Sequence, residues 1–88
     1  MFEWDENKRL QTLATRGLDF LDATLIFDGR VATTTPAQQS GEARFISTAI
    51  LSGKMHTVIW TWRGAARRII SFRRAHDGEE RAYRSVHG

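Results

Sequence analysis

Apolar residues recur at helical spacing up to about Phe27 and then at every second position, so the pattern predicts helices first and strands afterwards. Phe2-Glu3-Trp4 alternates and fits a short strand. Asp5 is placed to cap a helix, with Glu6 near the positive end of its dipole. Leu10, Leu13, Ala14 and Gly17 follow at helical spacing, which predicts an amphipathic helix over roughly 5–16 that stops at Gly17. A second start signal comes at once: Asp19 as cap, Asp22 three residues on, and Leu18 able to staple onto Ala23. Phe20, Ala23, Thr24 and Phe27 form the inner face of that helix, and Asp28-Gly29 ends it.

Beyond Arg30 the period is two. Arg30–Thr35 is rich in β-branched residues and predicts a strand, followed by a loop from Thr34 to Gly41. Ala43–Leu51 and Met55–Arg63 predict two strands joined by a short hairpin at Ser52-Gly53. Arg63 to Arg67 is the next turn, and Arg68–Ala75 the fourth long strand. His76-Asp77-Gly78 ends it, and Glu79–Arg84 reads as a short helix. The order β-α-α-β-β-β-β-α predicts one α+β domain over 1–88: two N-terminal helices on one face of a twisted antiparallel sheet, with a short C-terminal helix.

Composition narrows the chemistry. A chain of 88 residues buries only about 60–65% of its unfolded surface, so its core is thin and a partner can complete it. Without cysteine there is no disulfide framework, thiolate metal site or cysteine nucleophile, which suits a reducing cytosol. The uncharged run Phe45 to Gly53 is far short of the ~20 residues of a membrane helix, and the acidic start does not resemble a signal peptide. The net charge of +3 is unevenly placed: residues 1–42 hold four basic and seven acidic side chains, residues 43–88 nine basic and three acidic. Eleven of the thirteen basic residues are arginine, whose planar fork suits phosphate or carboxylate.

The candidate chemistry concentrates between 63 and 83. Strict alternation along Arg67–Ala75 sets Arg68, Ile70, Phe72 and Arg74 on one face and Arg67, Ile69, Ser71 and Arg73 on the other. Arg63, Arg67 and Arg68 meet at one hairpin end beside Trp60 and Trp62. Two readings fit: a phosphate groove with stacking groups, or a solvated sheet edge with both tryptophans in the core. Glu79 and Tyr83, four apart, share a helix face; they serve either proton transfer or ordinary packing and salt bridging. Glu42 and Arg44 form at least a local ion pair. The three histidines have no ligand-like spacing, so no metal is expected, and His76 is the one placed to act as acid or base. No phosphate-binding glycine loop or nucleophile elbow is present, and no cofactor is implied.

The whole series resembles the BrnT toxin family: Phe2-Glu3-Trp4-Asp5, Gly17-Leu18-Asp19-Phe20, Phe27-Asp28, Gly41-Glu42-Ala43-Arg44, Thr61-x-Arg63, Arg68-Ile69-Ile70-Ser71-Phe72-Arg73-Arg74-Ala75, and Glu79 with Tyr83 at +4. The resemblance implies a RelE-like α+β ribonuclease of a bacterial type II toxin–antitoxin pair, acting on RNA in the cytoplasm. It also implies a BrnA-like ribbon-helix-helix antitoxin, two toxins sitting on an antitoxin dimer, with DNA contacted only through the antitoxin and no membrane partner. One departure stands out: where the family usually has Lys-His-Gly, this chain has Thr15-Arg16-Gly17. Arg16 can hold a phosphate but cannot act as a base.

The expected chemistry is metal-independent RNA cleavage, the ribose 2′-hydroxyl attacking its own phosphate. Arg63, Arg68, Arg73 and Arg74 are expected to hold the phosphate, Glu79 to take the proton, and Tyr83 or His76 to give one to the leaving oxygen. The alternatives are a module that binds nucleic acid without cutting it and an interaction protein whose arginine face docks an acidic partner.

Overall fold

The structure, a computed structural model, describes residues 1–39 and 41–88. In chain order it runs β1 (Phe2–Trp4), α1 (Glu6–Arg16), α2 (Phe20–Ala23), a 3₁₀ turn (Thr24–Phe27), β2 (Ala32–Gln39), β3 (Glu42–Leu51), β4 (Lys54–Arg63), β5 (Ala66–Arg74) and α3 (Asp77–His87). The α+β class and the element order therefore stand. One sheet contains all five strands in the order β1-β5-β4-β3-β2.

The sheet is mixed rather than wholly antiparallel. β2 to β5 form an antiparallel meander, but β1 runs parallel to β5, pairing Phe2 with Arg67 and Trp4 with Ile69. The segment from Thr34, expected as loop, is strand as far as Gln39; Ser40, within that expectation, lies outside the described residues. Thr33, Thr34 and Thr35 carry the extended conformation through Pro36, whose missing N–H is tolerated because β2 is an edge strand.

One face of the sheet carries the core. Phe20, Ala23 and Ile26 pack on Ala49, Leu51, Val58, Trp60, Ile69 and Phe72, all buried, with Phe2 and Trp4 from β1 alongside. The opposite face receives α3, whose Glu79 accepts a hydrogen bond from Thr57 Oγ1 at 3.0 Å. Thr57 alternates with Val58, so it points away from that core. The helices thus lie on both faces, not one.

The two N-terminal helices also differ from expectation. Asp5 caps α1 and Gly17 stops it in the left-handed region at φ 68°, as the sequence predicts. Yet Leu10 and Leu13 are 50% and 39% exposed, and only Thr12 of this helix is buried. What ties α1 down is polar: Arg9 pairs with Asp19 at 2.8 Å, and Arg16 donates to the Phe72 carbonyl at 3.0 Å. The second helix makes one α turn under its Asp19 cap and then tightens to 3₁₀. Among the described residues no helix is long and apolar enough to cross a membrane.

A β-bulge decides which side chains share a face. β4 Ile59 faces Ser71, but its neighbour Trp60 faces Ile69, so Ile70 is the extra residue. The strict alternation expected along β5 therefore breaks. Arg67, Ile69, Phe72 and Arg74 point to the helix-covered core face, whereas Arg68, Ser71 and Arg73 point to the face that carries α3.

Candidate functional site

The α3 face gathers several of the expected residues. Arg63, Arg68 and Arg73 project from it with Thr57 and Thr61, and Glu79 comes down onto it from α3. Arg68 and Arg73 face Thr61 and Thr57, four residues apart on β4, so their backbones are separated by about 13 Å. They line one groove rather than one phosphate site.

The groove is partly neutralised. Arg68 is paired with Glu3 at 2.7 Å, Arg44 with Glu42 at 3.0 Å, and Arg63 approaches Glu42 at 4.0 Å. The expected cluster of Arg63, Arg67 and Arg68 with two tryptophans resolves differently. Trp60 is buried and donates its indole N–H to Ser47 Oγ at 2.9 Å. The Arg67 guanidinium sits among the rings of Phe27, Trp60 and Trp62 at 4.6, 5.1 and 4.8 Å, a cation–π nest that occupies it within the fold. Trp62 alone remains half-exposed, at 48%.

Glu79 is held by four hydrogen bonds. Its carboxylate takes the Arg73 fork at 2.8 and 2.9 Å, Thr57 Oγ1 at 3.0 Å and the His76 backbone N–H at 2.8 Å, the last being half of a capping box for α3. The Arg73 guanidinium above all, with the His76 N–H and the Thr57 hydroxyl, lowers its pKa to about 2. Such a carboxylate accepts a proton poorly at neutral pH; it positions Arg73. Tyr83 is buried, its ring 5.0 Å from that of His87.

The end of β5 gathers further positive charge, of which Arg73 is paired with Glu79. β1 pairs only with residues 67–69, which leaves the second half of β5 uncovered on that side. There a cavity of about 530 Å³ is lined by Arg16, Leu18, Lys54, His56, Arg73, Arg74 and His76, with no carboxylate in its wall. The structure brings together Arg73, Arg74 and His76 from the expected set, and it leaves Arg63, Arg68 and Tyr83 out of this cavity. Arg74 is braced by donating Nε–H to the Met55 carbonyl at 3.2 Å, and Arg16 by Phe72.

Lys54 and His56 are members that inspection of the sequence missed. His56 alternates with Val58 and Trp60 on an apolar strand face, where a lone histidine looks like packing. Its only chemical signal is that it pairs with Arg74 across β4 and β5. A second cavity of about 450 Å³, lined by Leu18, Leu25, Leu51 and Phe72 with Asp22, Arg30 and Ser52, adjoins the first and shares Leu18, Lys54 and His56 with it. Among the described residues no group of three or more His, Asp or Glu is placed to hold a metal ion.

Arg16, Lys54, Arg73 and Arg74 thus line a cavity with no carboxylate in its wall, beside a half-apolar one, and such a lining favours an anionic group. Comparison with protein-family models matches residues 4–79 to the family described as "Ribonuclease toxin, BrnT, of type II toxin-antitoxin system". No curated protein matches.

Proposed function

The chain belongs to the BrnT family of ribonuclease toxins of type II toxin–antitoxin systems, and on that premise we propose that it cleaves RNA in the cytoplasm without a metal and arrests growth until a protein antitoxin covers it. The observation that carries this reading is the cavity at the end of β5, where Arg16, Lys54, Arg73 and Arg74 converge with no carboxylate in its wall. A phosphate there meets Arg16, Lys54 and Arg74, with Arg73 held beside them by Glu79, and these cations stabilise the extra charge of the pentacoordinate phosphorane as the 2′-oxygen attacks.

Arg73 is aimed by Glu79, and His76, in the cavity wall, supplies the proton to the departing oxygen. Arg63 and Arg68 hold the strand further along the α3 face, where each phosphate contact adds affinity rather than rate. Tyr83, the buried residue of α3, steadies the helix that carries Glu79. The half-exposed Leu10 and Leu13 of α1 support a protein partner, which we take to be a BrnA-like ribbon-helix-helix antitoxin in a two-to-two complex on a RelE-like toxin.

The test is RNA incubated with the purified chain in excess EDTA. Fragments ending in 2′,3′-cyclic phosphate are expected, and a DNA strand of the same sequence is expected to stay intact. Salt-sensitive binding of RNA without any cleavage would instead favour a module that only holds nucleic acid. Equal cutting of DNA would rule out attack by the 2′-hydroxyl.

A further inference from the structure

We propose that His56 is the general base of this reaction, taking the proton of the ribose 2′-hydroxyl at its Nε2. The inference rests on the ribonuclease reading and deepens it, since Glu79 is engaged in aiming Arg73 and Arg16 cannot accept a proton.

The position comes first. His56 is in the wall common to the two adjoining cavities, the cationic one at the end of β5 and the half-apolar one bounded by Leu18, Leu25 and Phe72. A nucleotide whose phosphate meets Arg16, Arg73 and Arg74 and whose base lies against Leu25 and Phe72 has its ribose at that shared wall. The 2′-hydroxyl is the group presented there.

The tautomer comes next. His56 Nδ1 lies 2.9 Å from the Lys54 carbonyl oxygen, which can only accept, so the neutral ring carries its hydrogen on Nδ1. The lone pair is then on Nε2, which makes no hydrogen bond among the described residues. The ring is also held in orientation, 5.5 Å from the Phe72 ring at an interplanar angle of 33°. A base fixed by one hydrogen bond and one ring contact needs no reorganisation when substrate arrives.

Charge keeps the ring neutral. Burial chiefly, then the nearby charges of Arg74 and Lys54, lowers the His56 pKa from its ordinary 6.5. The charged groups facing it are Lys54 on its own strand, Arg73 and Arg74 from β5, His76 beyond β5, Arg16 from α1, and Asp22 and Arg30 around the second cavity. Cations outnumber the single carboxylate, which is the surrounding a neutral imidazole requires.

The step balances. Nε2 takes the 2′-hydroxyl proton as the 2′-oxygen bonds to phosphorus; the P–O5′ bond breaks with its electron pair going to O5′, which receives a proton from His76. The products are a 2′,3′-cyclic phosphate and a 5′-hydroxyl, with no oxidant, reductant or further reactant.

The test uses the full chain, EDTA and a short RNA, with the matching DNA strand as an uncleaved binding probe. His56→Gln is expected to lower kcat/KM by roughly 10²–10⁴-fold while DNA affinity stays near that of wild type, because the cations that hold phosphate are untouched. A folded variant that retains more than a tenth of the activity, with the wild-type pH profile, overturns the assignment and leaves the ribonuclease reading standing. A second measurement needs no variant. The acid limb of the wild-type kcat/KM profile should lie below pH 6.5 and coincide with the His56 titration followed by histidine NMR. A limb that does not coincide with it overturns the assignment, and a wild-type chain that cuts no RNA overturns both readings together.

Discussion

Glu79 shows how a residue of the expected type in the expected place can do different work. Its pKa lies far below the unfolded value because Arg73, Thr57 and the His76 N–H all favour the charged form. Between pH 4.5 and about 2 the unfolded chain therefore binds the proton that the folded chain refuses, so this stability is complete above pH 4.5 and is lost as pH falls toward 2. Glu79→Gln is expected to cost about 2–3 kcal/mol at pH 7. It should also flatten the loss of stability between pH 4.5 and 2, which denaturant titrations at pH 7 and pH 3 will read. That Glu79 and Tyr83 share the sheet-facing side of α3 was legible from their spacing. The role of Glu79 was not, because the groups that set it arrive from β4 and β5. The place of His56 in the cavity wall was not legible for the same reason: Arg74 and Arg16 line that wall with it only after folding.

At the scale of elements, hydrophobic period located β3, β4, β5 and α3, and the local turn chemistry at Ser52-Gly53 was sound. The hairpin at Ser52-Gly53 places both residues in the left-handed region, at φ 53° and 77°, the arrangement of a type I′ turn. Serine is an uncommon occupant there, so Ser52→Asn should stabilise the chain by about 0.5–1 kcal/mol, raising Tm by roughly 2–8 °C in a thermal melt. The bulge at Ile70 was not legible. A single extra residue leaves composition and apparent alternation untouched, yet it transfers Arg68 from the face of Phe72 to the face of Arg73 and Glu79. A chain shortened by Ile70 should keep every other β5 side chain on its present face, because Ile69 and Ser71 already oppose the adjacent Trp60 and Ile59; it is expected to remain folded, which circular dichroism will show. Strand β2 escaped in the opposite way, because Pro36 reads as loop until its place on the sheet edge is known.

For the whole molecule, the split between an acidic first half and a basic second half was visible from the sequence, and it becomes spatial at the end of β5. Binding of a DNA strand to this surface should weaken with salt, log K falling against log[salt] with a slope near −3 if about four phosphates are neutralised. Arg74→Ala should reduce that slope by about 0.7, measured by fluorescence anisotropy. The α+β class was legible too, whereas the mixed sheet with helices on both faces was not. Local pattern cannot reveal that Phe2 pairs with Arg67, or that a helix beginning at Asp77 crosses to the far side of β4.

The three-residue strand β1 has a consequence for how the molecule comes into being. Its partner residues, Arg67 to Ile69, are translated more than sixty residues later, and the walls of the cationic cavity come from positions 16, 54–56 and 73–76. A growing chain on the ribosome therefore carries no finished cavity until its last strand has been made. Closure then has to draw Phe2 across the rest of the fold, the kind of long-range contact whose loop entropy makes it late. On the proposed reading, the chain would acquire its phosphate-holding cavity only once its synthesis is nearly complete.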